Sequence, residues 1–262
     1  WLKYYYPLEY MAALMTSVID NPGKVAEYIY SCRQMGIKIL PPDINHGYSS
    51  FSVDNGSIRY GLAAIKSIGR PVIKEIVAER KANGEFKNLK DFIERMSGKD
   101  INKRTIENFI KSGAFDELGG TRKQFMVIYV QILDQVNREK KNSMTGQMSL
   151  FDIVGEEQKS EFDIPLPNVG EYEKSTKLAF EKEVLGIYLS GHPMEEYEEQ
   201  WRKGISKTTQ DFQFDEELGF SRVSDGAAEI IGGIIASKTI KYTKNNKTMC
   251  FLTIEDIMGS VE

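Results

Sequence analysis

The chain has 262 residues, 41% of them hydrophobic and 27% charged, with a formal net charge of -4. That length suits roughly two domains with cores of their own, in the composition range of ordinary globular proteins. No run of about 18 apolar residues occurs, so no membrane-spanning helix is expected. Cys32 and Cys250 lie far apart without another Cys or His at ligand spacing, which argues against a zinc site and for a reducing, cytoplasmic setting.

The charge is unevenly spread: residues 59–140 carry roughly +6 and residues 141–228 roughly -9. Such a basic half fits a solvated surface as well as nucleic-acid binding. The chain opens on Trp1 and closes as a strand pattern resumes, so it reads as an internal piece of a larger protein.

Helices are predicted over residues 8–19, with Leu8, Met11, Ala12, Leu14 and Met15 at helical spacing, and over 24–36, introduced by Asn21-Pro22-Gly23 and closed by Gly36. A short strand-like run follows at Ile37 to Leu40, then Pro41-Pro42-Asp43-Ile44-Asn45 as extended or turning backbone. Residues 50–53 and 57–60 form a small hairpin across Asp54-Asn55-Gly56. From Leu62 to about Arg138 the pattern is helical, with breaks at 67–71, 83–84, 97–98, 112–113 and 119–120. Residues 141–170 are polar and Gly/Pro-punctuated, a linker or functional loop. Residues 171–189 read as an amphipathic helix with Leu178, Val184, Leu185 and Tyr188 on one side. Ala228 to Tyr242 and Met249 to Ile254 alternate as a β-hairpin.

Ile65-Lys66-Ser67-Ile68-Gly69-Arg70-Pro71 has the pattern of a helix-hairpin-helix. The unpaired amides of the turn and of the second helix's first turn would point outward together, an anion site helped by Lys66, Arg70 and Lys74. Ile68 would be the buried pin, and Pro71 suits the first helical turn. Ser67 stands where the pattern has its first glycine, which bears on the tightness of the turn. A second candidate runs from Asn102 through Lys103, Arg104, Lys111, Ser112 and Gly113 to Asp116, with Gly113 ending one helix and Asp116 capping the next. Two such hairpins would hold DNA backbone without reading bases; an ordinary helical hairpin with basic surface residues has the same outline.

Gln147-Met148-Ser149-Leu150-Phe151 sets three apolar side chains in a polar segment. It is similar to the peptides by which bacterial replication proteins grip the sliding clamp. The bland alternative is a loop tucked onto its own surface. Asp43 is assigned a turn-stabilising role, and His46 and His192 structural ones, since neither has a ligand-spaced partner.

The succession PPDIN, GLAAIKSIG, LKDF, IKSGAFDELGGTR, GQMSLFD, EKEVLGIYLSGHPMEEY and MCFLTIED resembles the C-terminal half of the bacterial DNA polymerase III alpha subunit, of the exonuclease-free type, over nearly the whole chain. The resemblance implies a mainly α fold followed by a β-rich partial OB fold. It divides the chain into the end of a fingers subdomain (1–58), a tandem helix-hairpin-helix region (59–140), a linker with the clamp peptide (141–170), a helical connector (171–227) and the first strands of an OB domain (228–262). It implies binding to duplex DNA, to single-stranded template, with Lys238, Lys241, Lys244 and Lys247 as OB candidates that fit a solvated hairpin edge equally well, and to the sliding clamp and other replisome subunits. The catalytic carboxylates and their Mg²⁺ would belong to a palm outside this chain, leaving the piece without cofactor and inactive alone. The competing expectation is a non-enzymatic repair or recombination adaptor built from hairpin and OB modules.

Overall fold

The computed structural model describes residues 1–144, 164–215 and 219–262. It forms two compact units, Trp1–Leu189 and Ser190–Glu262. The first is mainly helical and the second richer in strand.

The first unit begins with α1 (Leu2–Tyr5), α2 (Pro7–Ser17) and α3 (Pro22–Gln34). Pro7 and Pro22 stand in first turns, where a missing N–H removes nothing, and Asn21 caps α3 by accepting from the Lys24 amide at 3.2 Å. Met11, Ala12 and Met15 from α2 and Val25, Ile29 and Cys32 from α3 are buried at helical spacing. Next come β1 (Ile39–Leu40), β2 (Ser52–Asp54) and β3 (Ser57–Arg59), a sheet of order β1-β3-β2. β1 runs parallel to β3 with Ile39 opposite Ile58, while β2 and β3 are antiparallel across Asn55-Gly56, whose φ angles of 47° and 75° are those of a hairpin turn. Asp43, almost fully buried, accepts from the amides of Asn45 (2.8 Å) and His46 (2.6 Å), the turn-stabilising role expected of it.

The helical region comprises α4 (Arg70–Asn83), α5 (Leu89–Arg95), α6 (Lys103–Ser112) and α7 (Arg122–Met144), joined at the expected breaks. Asn88 and Asn102 cap α5 and α6 through the amides of Asp91 (2.8 Å) and Thr105 (3.0 Å). Phe86, Phe92, Phe109 and Phe115 meet edge to face, with Phe92 within 4.9–6.2 Å of the other three ring centroids. Arg95 closes the C-terminal end of α4 by donating to the carbonyls of Glu79 (3.2 Å) and Gly84 (2.8 Å).

Two local expectations are corrected. The segment before the first hairpin is a single 3-10 turn, Leu62–Ala64, rather than a helix. Only a few residues separate it from β3, and Gly61 passes so close to the backbone of Ser49 to Phe51 that the chain has no room to begin a helix earlier. Asp116 does not cap α7; its carboxylate is bound by Arg122, and Thr121 starts the helix by pairing with Gln124 in both directions (2.9 and 3.2 Å).

The first unit is completed by α8 (Lys174–Leu185), ended by Gly186 in a left-handed conformation. Leu178, Val184 and Leu185 are buried as the pattern requires, and burial continues past the helix at Ile187 and Leu189, whereas Tyr188 is half-buried.

The second unit contains a 3-10 turn (Glu195–Tyr197), α9 (Glu198–Gly204), a second 3-10 turn (Thr209–Phe212), and strands β4 (Phe214–Asp215), β5 (Phe220–Ser221), β6 (Ile234–Tyr242), β7 (Thr248–Asp256) and β8 (Gly259–Val261). β6, β7 and β8 form an antiparallel sheet in that order. The strand expected from Ala228 begins only at Ile234, the Gly232 carbonyl being taken by Trp201 Nε1 at 2.7 Å. His192 is buried, its Nδ1 accepting from the Met194 amide at 3.2 Å and its own amide donating to Glu195 at 2.8 Å, a structural setting.

Candidate nucleic-acid interface

The first hairpin is a tight turn built on two buried side chains. Ile65 and Ile68 are buried, and between them Ser67 takes φ 62°, the left-handed conformation that the expected glycine would supply. For an L-residue this costs about 1 kcal/mol. Both polar backbone groups of Lys66 are engaged, the N–H by the Val184 carbonyl (2.9 Å) and the carbonyl by Asn108 Nδ2 (2.7 Å). The amides of Ser67, Gly69 and Arg70 make no hydrogen bond among the described residues. They cluster at the N-terminus of α4, whose 14 residues carry no acidic side chain in the first turn.

Lys66, Arg70 and Lys74 are exposed around this cluster. Arg70 pairs with the exposed Asp20 at 3.1 Å, a solvated contact of little strength. Gly69 has an ordinary φ of -73°, and a Cβ there would meet only Pro71 at 3.6 Å. Its small size therefore keeps the amides approachable rather than relieving backbone strain. Open amides, a helix N-terminus and nearby cations are the elements from which anion sites are generally built.

The second hairpin is built differently. Gly113, at φ 83°, closes α6 with paired bonds from Gly113 N–H to Ile110 and from Ala114 N–H to Phe109. The Asp116 amide turns back to Gly113, and the Ala114 carbonyl accepts from Ile44. Ser112 is fully buried and donates to Phe109 at 3.0 Å. Lys111 lies between Glu183 (2.8 Å) and Glu107 (2.9 Å), 5.5 Å from the Phe180 ring centroid. Partial burial works against its charge, but these two carboxylates hold its pKa above the usual lysine value. Lys111, Ser112 and Gly113, expected at a DNA-facing turn, are thus occupied within the fold. Lys103 and Arg104 remain exposed at the start of α6, Lys103 lying 3.5 Å from Asp134.

Arg122, nearly fully buried, binds Asp116 through Nε (3.0 Å) and Nη2 (2.8 Å), and through Nη1 the Lys111 carbonyl (3.2 Å) and Glu181 (3.3 Å). Burial opposes its charge, yet Asp116 and Glu181 push its pKa up, so it stays a guanidinium.

In the second unit Lys238, Lys241, Lys244 and Lys247 are all exposed, Lys244 and Lys247 in the turn between β6 and β7, while strand alternation separates Lys238 from Lys241. Lys238 lies opposite Leu252 and on the face of Ile240, whereas Lys241 lies opposite Met249 on the other face, 5.0 Å from the Phe251 ring centroid. The depression lined by Glu195, Glu196, Glu198 and Glu199 has the wrong sign for a phosphate. Gln147, Met148, Ser149, Leu150 and Phe151 lie outside the described residues. Among the described residues no three His, Cys, Asp or Glu side chains are grouped to hold a metal ion. No helix is long and apolar enough to cross a membrane among the same residues.

Residues 36–125 match the family described as a helix-hairpin-helix motif. The DNA polymerase III subunits alpha of Borreliella burgdorferi, Vibrio cholerae and Escherichia coli are 35%, 36% and 34% identical to the chain, over 262 to 263 residues. Each alignment covers 100% of this chain. Over its whole length the chain is therefore similar to one segment of DNA polymerase III alpha subunits. It spans 22% of the length of these relatives.

The first hairpin was legible from its local pattern, and the match over residues 36–125 includes it. Arg122, Glu181 and Asn108 were missed, although they hold the hairpin region together. One signal was available: Glu181 sits three residues after Leu178 and three before Val184, a carboxylate on the apolar stripe of α8.

Proposed function

We propose that the chain is a DNA-holding segment of a replicative polymerase alpha subunit, acting in the cytoplasm beside the parent's nucleotidyl-transfer centre. The carrying observation is the group of open amides at Ser67, Gly69 and Arg70, ringed by Lys66, Arg70 and Lys74. A duplex phosphate received there would bind through backbone N–H groups and the α4 dipole. Neither reads a base, so the grip would be sequence-independent and weakened by salt. Lys103 and Arg104 extend the basic surface.

Two further contacts complete the reading. The antiparallel β6-β7-β8 sheet is taken as the opening strands of an OB domain, which would hold template single strand by stacking and charge. Gln147 to Phe151 is taken as the sliding-clamp peptide. Burial of Met148, Leu150 and Phe151 would supply about 5 to 9 kcal/mol before ordering costs. That makes a weak contact useful only when DNA already holds the partners together. Full coverage of this chain by polymerase alpha relatives favours this reading over a repair adaptor.

Gly69→Leu tests the core of the proposal. Ordinary room exists for the Cβ, so the loss of a favourable N-cap should cost only about 1 kcal/mol of stability. Duplex affinity should fall alike for unrelated sequences. Unchanged affinity would refute the hairpin assignment.

A further inference from the structure

We infer that α8 is the clasp that sets the shape of the DNA-facing hairpin, with Glu181 as its positioning residue; this rests on the duplex-holding reading above. Ser67 is held in a left-handed conformation unfavourable to a side-chain-bearing residue. No hydrogen bond made by its own amide compensates for it. The conformation is imposed through Lys66, whose N–H is held by Val184 and whose carbonyl is held by Asn108.

Val184 and Leu185 belong to the last turn of α8, where carbonyls have no partner within the helix. Here the hairpin provides one: the Lys66 amide reaches Val184, and the Tyr60 hydroxyl donates to Leu185 at 3.2 Å. The hairpin therefore caps α8, and α8 fixes the hairpin. Glu181, one turn earlier and 1% exposed, secures this arrangement from both carboxylate oxygens. Oε1 accepts from Arg122 at 3.3 Å, and Oε2 accepts from the Leu189 amide at 3.0 Å. Arg33 binds the carbonyls of Tyr188 (2.9 Å) and Leu189 (3.2 Å), so the chain leaving α8 is pinned as well. Lys111 and Glu183 add a contact on the exposed side.

Without the clasp, Ser67 would relax to a right-handed or extended conformation, and the unbonded amides of Ser67, Gly69 and Arg70 would no longer be held in one fixed arrangement. Glu181 touches no DNA in this arrangement; it acts through the turn.

The experiment uses the full chain and a fluorescently labelled mixed-sequence duplex, with amide hydrogen exchange read residue by residue. Glu181→Ala is expected to expose the Lys66 amide to exchange and to weaken duplex binding ~10-fold. Adding Ser67→Gly, which removes the conformational penalty at the turn, is expected to recover most of that loss. A merely structural role for Glu181 would not give this rescue. Exchange at Ile106 and Phe109 in the core reports global unfolding; if Glu181→Ala unfolds the chain, Glu181→Gln carries the same comparison with a smaller change. Lys66 exposure without loss of affinity, or loss of affinity that Ser67→Gly leaves untouched, overturns the inference. Failure of the duplex-holding reading would look different: the unaltered chain, with Lys66 protected, would not bind the duplex at all.

Discussion

The guanidinium of Arg122 occupies the volume that a side chain on Gly113 would need, so the turn after α6 and the start of α7 are fitted to each other. Gly113 is also left-handed, at φ 83°. Gly113→Ala therefore meets two penalties, a strained backbone and a displaced buried cation with two carboxylate partners. The expected loss is about 2 to 4 kcal/mol, read from the urea midpoint of the full chain. A loss no larger than that of a surface substitution would mean that Arg122 relocates freely.

Acid should loosen the helical unit through Glu79. Hydrogen bonds from Lys99 and Asn83, and a further one from Arg95, hold its carboxyl at about 2 against an ordinary value of 4.5. Because the folded value is the lower one, the contribution to stability is complete above pH 4.5 and is lost as pH falls toward 2. Glu79→Gln should flatten that part of the stability profile, measured by denaturation across the interval.

Lys74 is exposed on α4 and forms no ion pair among the described residues. Lys74→Ala should leave stability unchanged and reduce the slope of log affinity against log salt by about 1, the signature of one lost phosphate contact. Titrations of one duplex at several salt concentrations decide this.

Leu150→Ala with Phe151→Ala should abolish retention of the chain on the sliding clamp, without altering duplex affinity. Gly69→Leu should do the reverse. Both variants tested on both ligands separate the two proposed contacts, and a parallel loss in both assays would contradict their independence.

Asp256 organises the strand-rich unit. Its carboxylate accepts from the Thr209 amide and hydroxyl and from the Met258 amide, each at 2.7 Å, and from the Gly259 amide at 2.9 Å. Asp256→Ala would strand these donors at a buried site, at a cost of about 2 to 4 kcal/mol. Exchange at Thr209, Met258 and Gly259 should accelerate together.

What could be read in advance was whatever local chemistry decides. The glycines at 36, 56 and 113 mark boundaries with their own conformational preferences, so helices and turns fell near their expected places. Partners distant in sequence were not legible. Lys111 looked like a free cation at a DNA-facing turn because Glu183 is 72 residues away. Asp116 had a cap's position, yet a guanidinium next to Glu181 claimed it. The first hairpin kept its outline despite Ser67, because support comes from α8 and α6 rather than from the residue at the turn.

The bond between Tyr60 and Leu185 spans 125 residues, and that between Arg33 and Leu189 spans 156. Closing a loop of the first length costs about 4 kcal/mol from length alone, before any contact repays it. Docking of α8 is therefore expected late in assembly of the helical unit, since local hairpins and helix pairs form sooner than such distant pairs. On the ribosome, α2 to α7 emerge with the Lys66 amide and the Tyr60 hydroxyl still awaiting their acceptors. The hairpin acquires its final shape only when Val184 and Leu185 have been synthesised.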